Sequence, residues 1–187
     1  MKPFTNFVIV LAVATLFAAC GNSQQSAATD PHAGHNHAAG EGHGAAVSAP
    51  AAKVTIKDDK LNAIYQHYIH LSTALVAGDM AEATVAVNAI ALGAKELANS
   101  ASLTALANKI ASAKDIEAQR VFFAELSTDF ISRVKASGLS SGELYVDYCP
   151  MALDDKGASW LSNQKEIKNP YFGASMLTCG DLKETIK

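Results

Sequence analysis

The chain predicts a mainly α fold: an antiparallel four-helix bundle with a small C-terminal β-hairpin and loop region. Three observations carry that prediction. Apolar residues recur at spacings of three and four from about Lys57 to Gly138. Short polar or glycine-bearing breaks cut that stretch into four segments, and short breaks favour antiparallel neighbours. After Gly138 the texture turns to β-branched and aromatic residues separated by turn chemistry.

The first helix shows Leu61, Ile64, Tyr68, Leu71 and Leu75 on one face, and Gly78 supplies its stop. Asp79 is placed to cap the next helix, with Glu82 at the capping-box position. In that helix Val85, Ile90, Leu92 and Leu97 are expected to face the core among many alanines, up to a break near Asn99 and Ser100. Ser102 is expected to cap a shorter helix through Leu103, Leu106 and Ile110. Asp115 caps a longer one carrying Ile116, Phe123, Leu126, Phe130 and Val134, closed by Gly138. Beyond it, "ELYVDYC" and "ASWLS" read as two strands joined through the turn residues "DDKG", and "KNPYFG" reads as a further turn.

The N-terminus reads as processing and tether rather than fold. Phe7 to Ala19 is an almost purely apolar run behind Lys2, the length of a signal segment, and it ends in "LFAAC". Ala18 and Ala19 before Cys20 look like a bacterial lipobox, although Phe17 departs from the usual leucine. Residues 1–19 are therefore expected to be a lipoprotein signal peptide and Cys20 the lipidated residue, with the membrane reached through that lipid. This places the protein in the bacterial cell envelope, on the periplasmic face of the outer membrane. Residues 20–52, built of Ala, Ser, Gly, Gln and His, hold too little apolar surface to fold and read as a flexible tether, leaving 53–187 as the folded domain.

Composition excludes some partners. The formal net charge is −3 and no basic block occurs, so the electrostatic footprint of a nucleic-acid binder is missing. No His-Glu-x-x-His and no Cys-x-x-Cys is present, and Asp154 and Asp155 read as turn residues, so no catalytic turnover is expected.

Sulfur carries the chemistry that remains. Cys149-Pro150-Met151 pairs a thiol with a thioether, and Met176 precedes Cys179 by three positions. Two readings stay open. In one, Cys149 and Cys179 form a disulfide, permitted in an exported protein and worth roughly 3 to 4 kcal/mol for a loop of about 30 residues. In the other, Cys149, Met151, Met176 and Cys179 form a soft donor set, which selects Cu(I) or Ag(I) over harder ions. Met151 and Met176 are equally at home as core fillers, and Trp160, the single tryptophan, as a core aromatic rather than a cation contact.

Imidazoles offer a second, looser chemistry. His32, His35, His37 and His43 lie in the tether at spacings suited to wrapping Cu(II), Ni(II) or Zn(II), or serve only to solubilise it. His67 and His70 are neighbours at i, i+3 on the first helix, where a solvated polar face competes with a shared divalent ion.

The string "YCPMALDDKGASWLSNQKEIKNPYFGASMLTCG", with "RVFFAELS" at 120–127 and "ALVAGD" at 74–79, resembles a domain-of-unknown-function family of bacterial envelopes. That family is also found fused to periplasmic adaptor subunits of heavy-metal efflux pumps of the RND type. The resemblance spans 57–187 and rests on the Cys-Pro-Met, Gly-Ala-x-Trp-Leu-Ser, Asn-Pro-Tyr-Phe-Gly and Met-Leu-x-Cys-Gly pieces. It implies copper or silver handling beside a heavy-metal RND efflux system, with Cys149, Met151, Met176 and Cys179 at the matching positions. The alternative is a disulfide-stapled module that docks onto an efflux adaptor or another envelope protein and binds no metal through its cysteines.

Overall fold

A computed structural model describes residues 53–187, which lie within one compact unit. The expectations for the signal peptide, Cys20 and the tether histidines His32, His35, His37 and His43 lie outside the described residues. Four helices, α1 (Asp59–Ala77), α2 (Met80–Ala94), α3 (Ala101–Ala111) and α4 (Ile116–Ser137), form the bundle. Each packs on the next, and α1 closes on α4. Strand β1 (Thr55–Ile56) precedes them and pairs antiparallel with β2 (Leu139–Ser141), which follows them. The hairpin of β3 (Leu144–Cys149) and β4 (Ala158–Ser162) gains a third strand, β5 (Asp181–Ile186), in the order β4-β3-β5.

The helix boundaries follow from their caps. Asp58, Asp79 and Asp115 each accept a hydrogen bond from the backbone N–H three residues on, in Leu61, Glu82 and Ala118, which satisfies a donor that the first turn leaves orphaned. Ser102 does not cap α3. That helix starts two residues earlier, at Ala101 after Ser100, whose side chain makes no capping bond.

Two expected core residues of α2 lie outside instead. Val85 is 59% and Leu92 67% exposed, while Ala83, Ala86, Val87, Ile90 and Ala94 form the buried face. The reason is close approach: a Cβ on Gly93 would come within 2.8 Å of the Ile64 side chain, so α2 meets α1 through its small residues. Val87 and Ile90 are the two large side chains that face inward among those alanines.

Aromatic packing joins the sheet to the bundle. Tyr68 of α1 stacks between Phe123 and Phe130 of α4, with ring centroids 5.6 and 4.6 Å away. Its hydroxyl lies 2.6 Å from Ser127 Oγ and accepts the backbone N–H of Leu161 in β4 at 3.0 Å. Tyr171 bridges Phe123 and Trp160 and donates to the Ser159 carbonyl. Trp160 is accordingly a core aromatic, 1% exposed.

The hairpin connection is a turn, as "DDKG" predicts, but a left-handed one. Leu153, Asp154 and Asp155 take φ of 56°, 56° and 61° in succession. L-residues pay roughly 1–2 kcal/mol each in that conformation, somewhat less for aspartate. Asp154 is exposed, so Asp154→Gly is expected to stabilise the fold by about 0.5–1 kcal/mol, read from denaturant midpoints.

Candidate functional site

β3 carries Cys149 at its last position, fully buried and paired with Ala158 of β4. Cys179 arrives from the other side, after a single 3-10 turn over Gly173–Met176, and is half-buried. Their Sγ atoms lie 2.7 Å apart. That is closer than unbonded sulfurs rest and longer than the about 2.0 Å of a disulfide.

Several side chains bring the two thiols together. The ladder of β3 and β5 sets Tyr148 opposite Asp181, so the residues beside each cysteine are held in register. Gly180 allows the strands to close: a Cβ there would stand 3.0 Å from the Tyr148 carbonyl oxygen and 3.0 Å from the tip of the Trp160 indole, at φ +141°. Asn169, wholly buried, donates from Nδ2 to the Cys179 carbonyl at 2.7 Å and accepts at Oδ1 from the Tyr171 N–H at 2.8 Å. Its backbone N–H donates to the Leu177 carbonyl and its carbonyl accepts from Gly173. Arg120 of α4 ties this loop to the bundle, donating from Nε to the Pro170 carbonyl and from Nη2 to the Leu75 carbonyl, both at 3.0 Å.

The methionines stand two residues after Cys149 and three before Cys179 in the chain. Met151 is 48% exposed at the entry to the left-handed turn, and Met176 ends the 3-10 turn half-buried. Filling the core does not explain Met151. The contact with Cys149 first, and burial second, push the Cys179 thiol up to about 11. A reactive redox cysteine has the opposite shift.

Asp147 lies two residues before Cys149 on the same strand, buried, with Oδ2 unpartnered. Burial raises its carboxyl from 3.8 to about 6. The folded state therefore holds this proton more tightly than the unfolded chain, and stability falls as pH rises from about 4 to about 6, then stays level. Asp147→Asn is expected to remove that fall. Allowing for screening, the variant should exceed the parent by about 1–2 kcal/mol at pH 7 and match it near pH 3, by urea melts across that range.

The histidine pair stays on the surface. His70 Nε2 lies 3.0 Å from Glu82 Oε2 and His67 is exposed, and among the described residues no group of three or more His, Cys, Asp or Glu is placed to hold a metal. Glu82 thus turns toward His70 rather than back to its own cap. Gly138-Leu139-Ser140-Ser141-Gly142 has the Gly-x-Ser-x-Gly spacing of a hydrolase nucleophile elbow, but it runs from the end of α4 into β2, whereas an elbow runs from strand into helix. No helix of the described residues is long and apolar enough to cross a membrane.

Sequence reasoning found both cysteines and missed what places them. Asn169 reads only as part of a turn, and Arg120, Asp147 and Gly180 stand inside the quoted motifs with no role of their own. The Asn-Pro dipeptide was the one available signal, and it marks a bend without saying that the asparagine is buried.

Fold and site together define a small helical domain with a sulfur pair at the end of its C-terminal sheet. Residues 64–142 match the sequence profile of a family described as a protein of unknown function (DUF3347). The match covers the bundle from within α1 to just past β2 and ends before Cys149. No curated protein and no solved structure matches the chain.

Proposed function

We propose that this protein is an envelope lipoprotein that binds Cu(I) or Ag(I) through Cys149 and Cys179, with Met151 and Met176 as thioether donors, and that it serves heavy-metal efflux or homeostasis. The observation that carries this reading is the convergence of two thiols, 30 residues apart in the chain, beside a methionine that is half exposed rather than packed. Soft sulfur donors favour these monovalent ions. Strained backbone tends to be kept at functional sites, and the left-handed run Leu153–Asp155 directly follows Cys149-Pro150-Met151. Two sulfurs sharing one ion, with metal-sulfur bonds of about 2.3 Å, would sit about 3.7 to 4.6 Å apart. Binding therefore requires the pair to open by about 1 Å or more, which falls to the half-buried Cys179. Lipid on Cys20 would hold the domain at the membrane, and the tether histidines would collect Cu(II), Ni(II) or Zn(II) loosely. The resemblance to domains fused to RND-pump adaptors supplies the link to efflux.

Trp160 gives a direct test, since it is the single tryptophan and its ring borders Gly180, next to Cys179. Silver titrated into the reduced full chain is expected to change its fluorescence, with saturation at one ion per chain. No saturable change, or the same change in Cys149→Ser/Cys179→Ser, would count against the sulfur site.

A second reading is favoured by the 2.7 Å separation itself, which lies nearer a disulfide than a shared ion. It makes the domain a stapled module that docks onto an efflux adaptor or another envelope protein. Alkylation of thiols in protein taken from cells without reductant separates the two: free Cys149 and Cys179 support the metal site, and none supports the staple.

A further inference from the structure

α2 is an unusual surface helix, because Glu82 is its one charged residue in fifteen. Its outer face, opposite the buried stripe of Ala83, Ala86, Val87, Ile90 and Ala94, is formed by Ala81, Val85, Asn88 and Leu92, all exposed. The spacings of four, three and four are those of a coiled-coil seam, with Val85 and Leu92 at one set of seam positions and Ala81 and Asn88 at the other. Bundle packing does not require this pattern, since the bundle uses the other side of the helix.

We propose that this seam pairs with a second copy of the chain, α2 against α2 in antiparallel order. Antiparallel order is chosen by size and by charge. It sets Leu92 against the partner's Ala81, a large side chain facing a small one, and Val85 against the partner's Asn88, with the two-fold symmetry of an isologous contact. Lys95, exposed just beyond the C-terminal end of α2, then reaches the acidic start of the partner's helix at the partner's Asp79 and the partner's Glu82. Asp79, which caps α2, and Glu82, which also meets His70, are exposed, and Lys95 takes no part in the ion pairs of the described residues. Parallel order would stack Lys95 on its own copy. A helix of 15 residues is about 22 Å long, so the contact is small and the association is of the weak, reversible class.

The test is photocrosslinking of the full chain in cells, with a benzophenone amino acid at Asn88 and tagged and untagged copies expressed together. A tagged-to-untagged adduct is expected, its yield lowered at least about tenfold by Leu92→Glu. Lys95→Glu is expected to lower it as well, and Glu82→Lys added to Lys95→Glu to restore it. All three positions are exposed, and unchanged thermal melts would show that the fold is intact. Absence of the adduct, indifference to Leu92→Glu, or an adduct only to residues 1–52 of the same chain or to a different protein would overturn the proposal.

Discussion

Replacing both thiols, Cys149→Ser/Cys179→Ser, is expected to weaken Cu(I) binding by at least about a thousandfold, or roughly 4 kcal/mol. The hydroxyl is a hard, weak donor, and it cannot supply the anionic sulfur that a soft ion prefers. Met151→Leu keeps the size of the side chain and removes only the thioether, so a smaller loss, about tenfold, should follow. Competition titration against a Cu(I) chelator checks both. Because contact with Cys149 and burial push the Cys179 thiol up to about 11, metal uptake near pH 7 is expected to displace its proton into solution. The same serine variant separates the readings through stability. Compared with an oxidised, stapled parent it should lose about 3 to 4 kcal/mol on top of any packing change, and compared with a reduced parent it should not.

The second large effect falls on a residue buried away from solvent. Asn169→Ala would leave the Cys179 carbonyl and the Tyr171 N–H without their side-chain partner in a site that excludes water. Unsatisfied buried polar groups are costly, and a loss of about 2–4 kcal/mol in chemical denaturation is expected. The loop from 169 to 179 would also loosen, so Cys179 should react faster with a thiol reagent even under conditions where the domain remains folded. Asn169→Asp tests the geometry further, because it keeps the acceptor toward Tyr171 and removes the donor toward Cys179.

The periodic parts of the chain were legible because burial follows spacing wherever side chains are large. Leu61, Ile64, Tyr68, Leu71 and Leu75 point inward as their positions demand. α2 defeated the same logic. Its alanines and Gly93 bring α1 close and turn the face of Ala83, Ala86, Val87, Ile90 and Ala94 inward, so Val85 and Leu92 on the opposite face are turned out, and hydrophobicity blind to where the small residues lie selects the wrong face. The strands β1, β2 and β5 were missed for a related reason. β1 and β2 have two and three residues, and β5, "DLKETI", alternates no apolar face, since all but its last two residues are exposed. Their pairing is a product of the whole fold. The meeting of Cys149 with Cys179 had a trace in the sequence, the repeated nearness of methionine, but the devices that produce it, Gly180 between Trp160 and Tyr148 and Asn169 under the loop, depend on contacts that spacing does not encode.

X-ray absorption at the copper edge of the Cu(I)-loaded, reduced full chain tests the central claim most directly. The sulfur-site account predicts a first shell of sulfur at about 2.3 Å, present in the parent and lost in Cys149→Ser/Cys179→Ser. A first shell of nitrogen alone, or a sulfur shell that survives the double substitution, would contradict it.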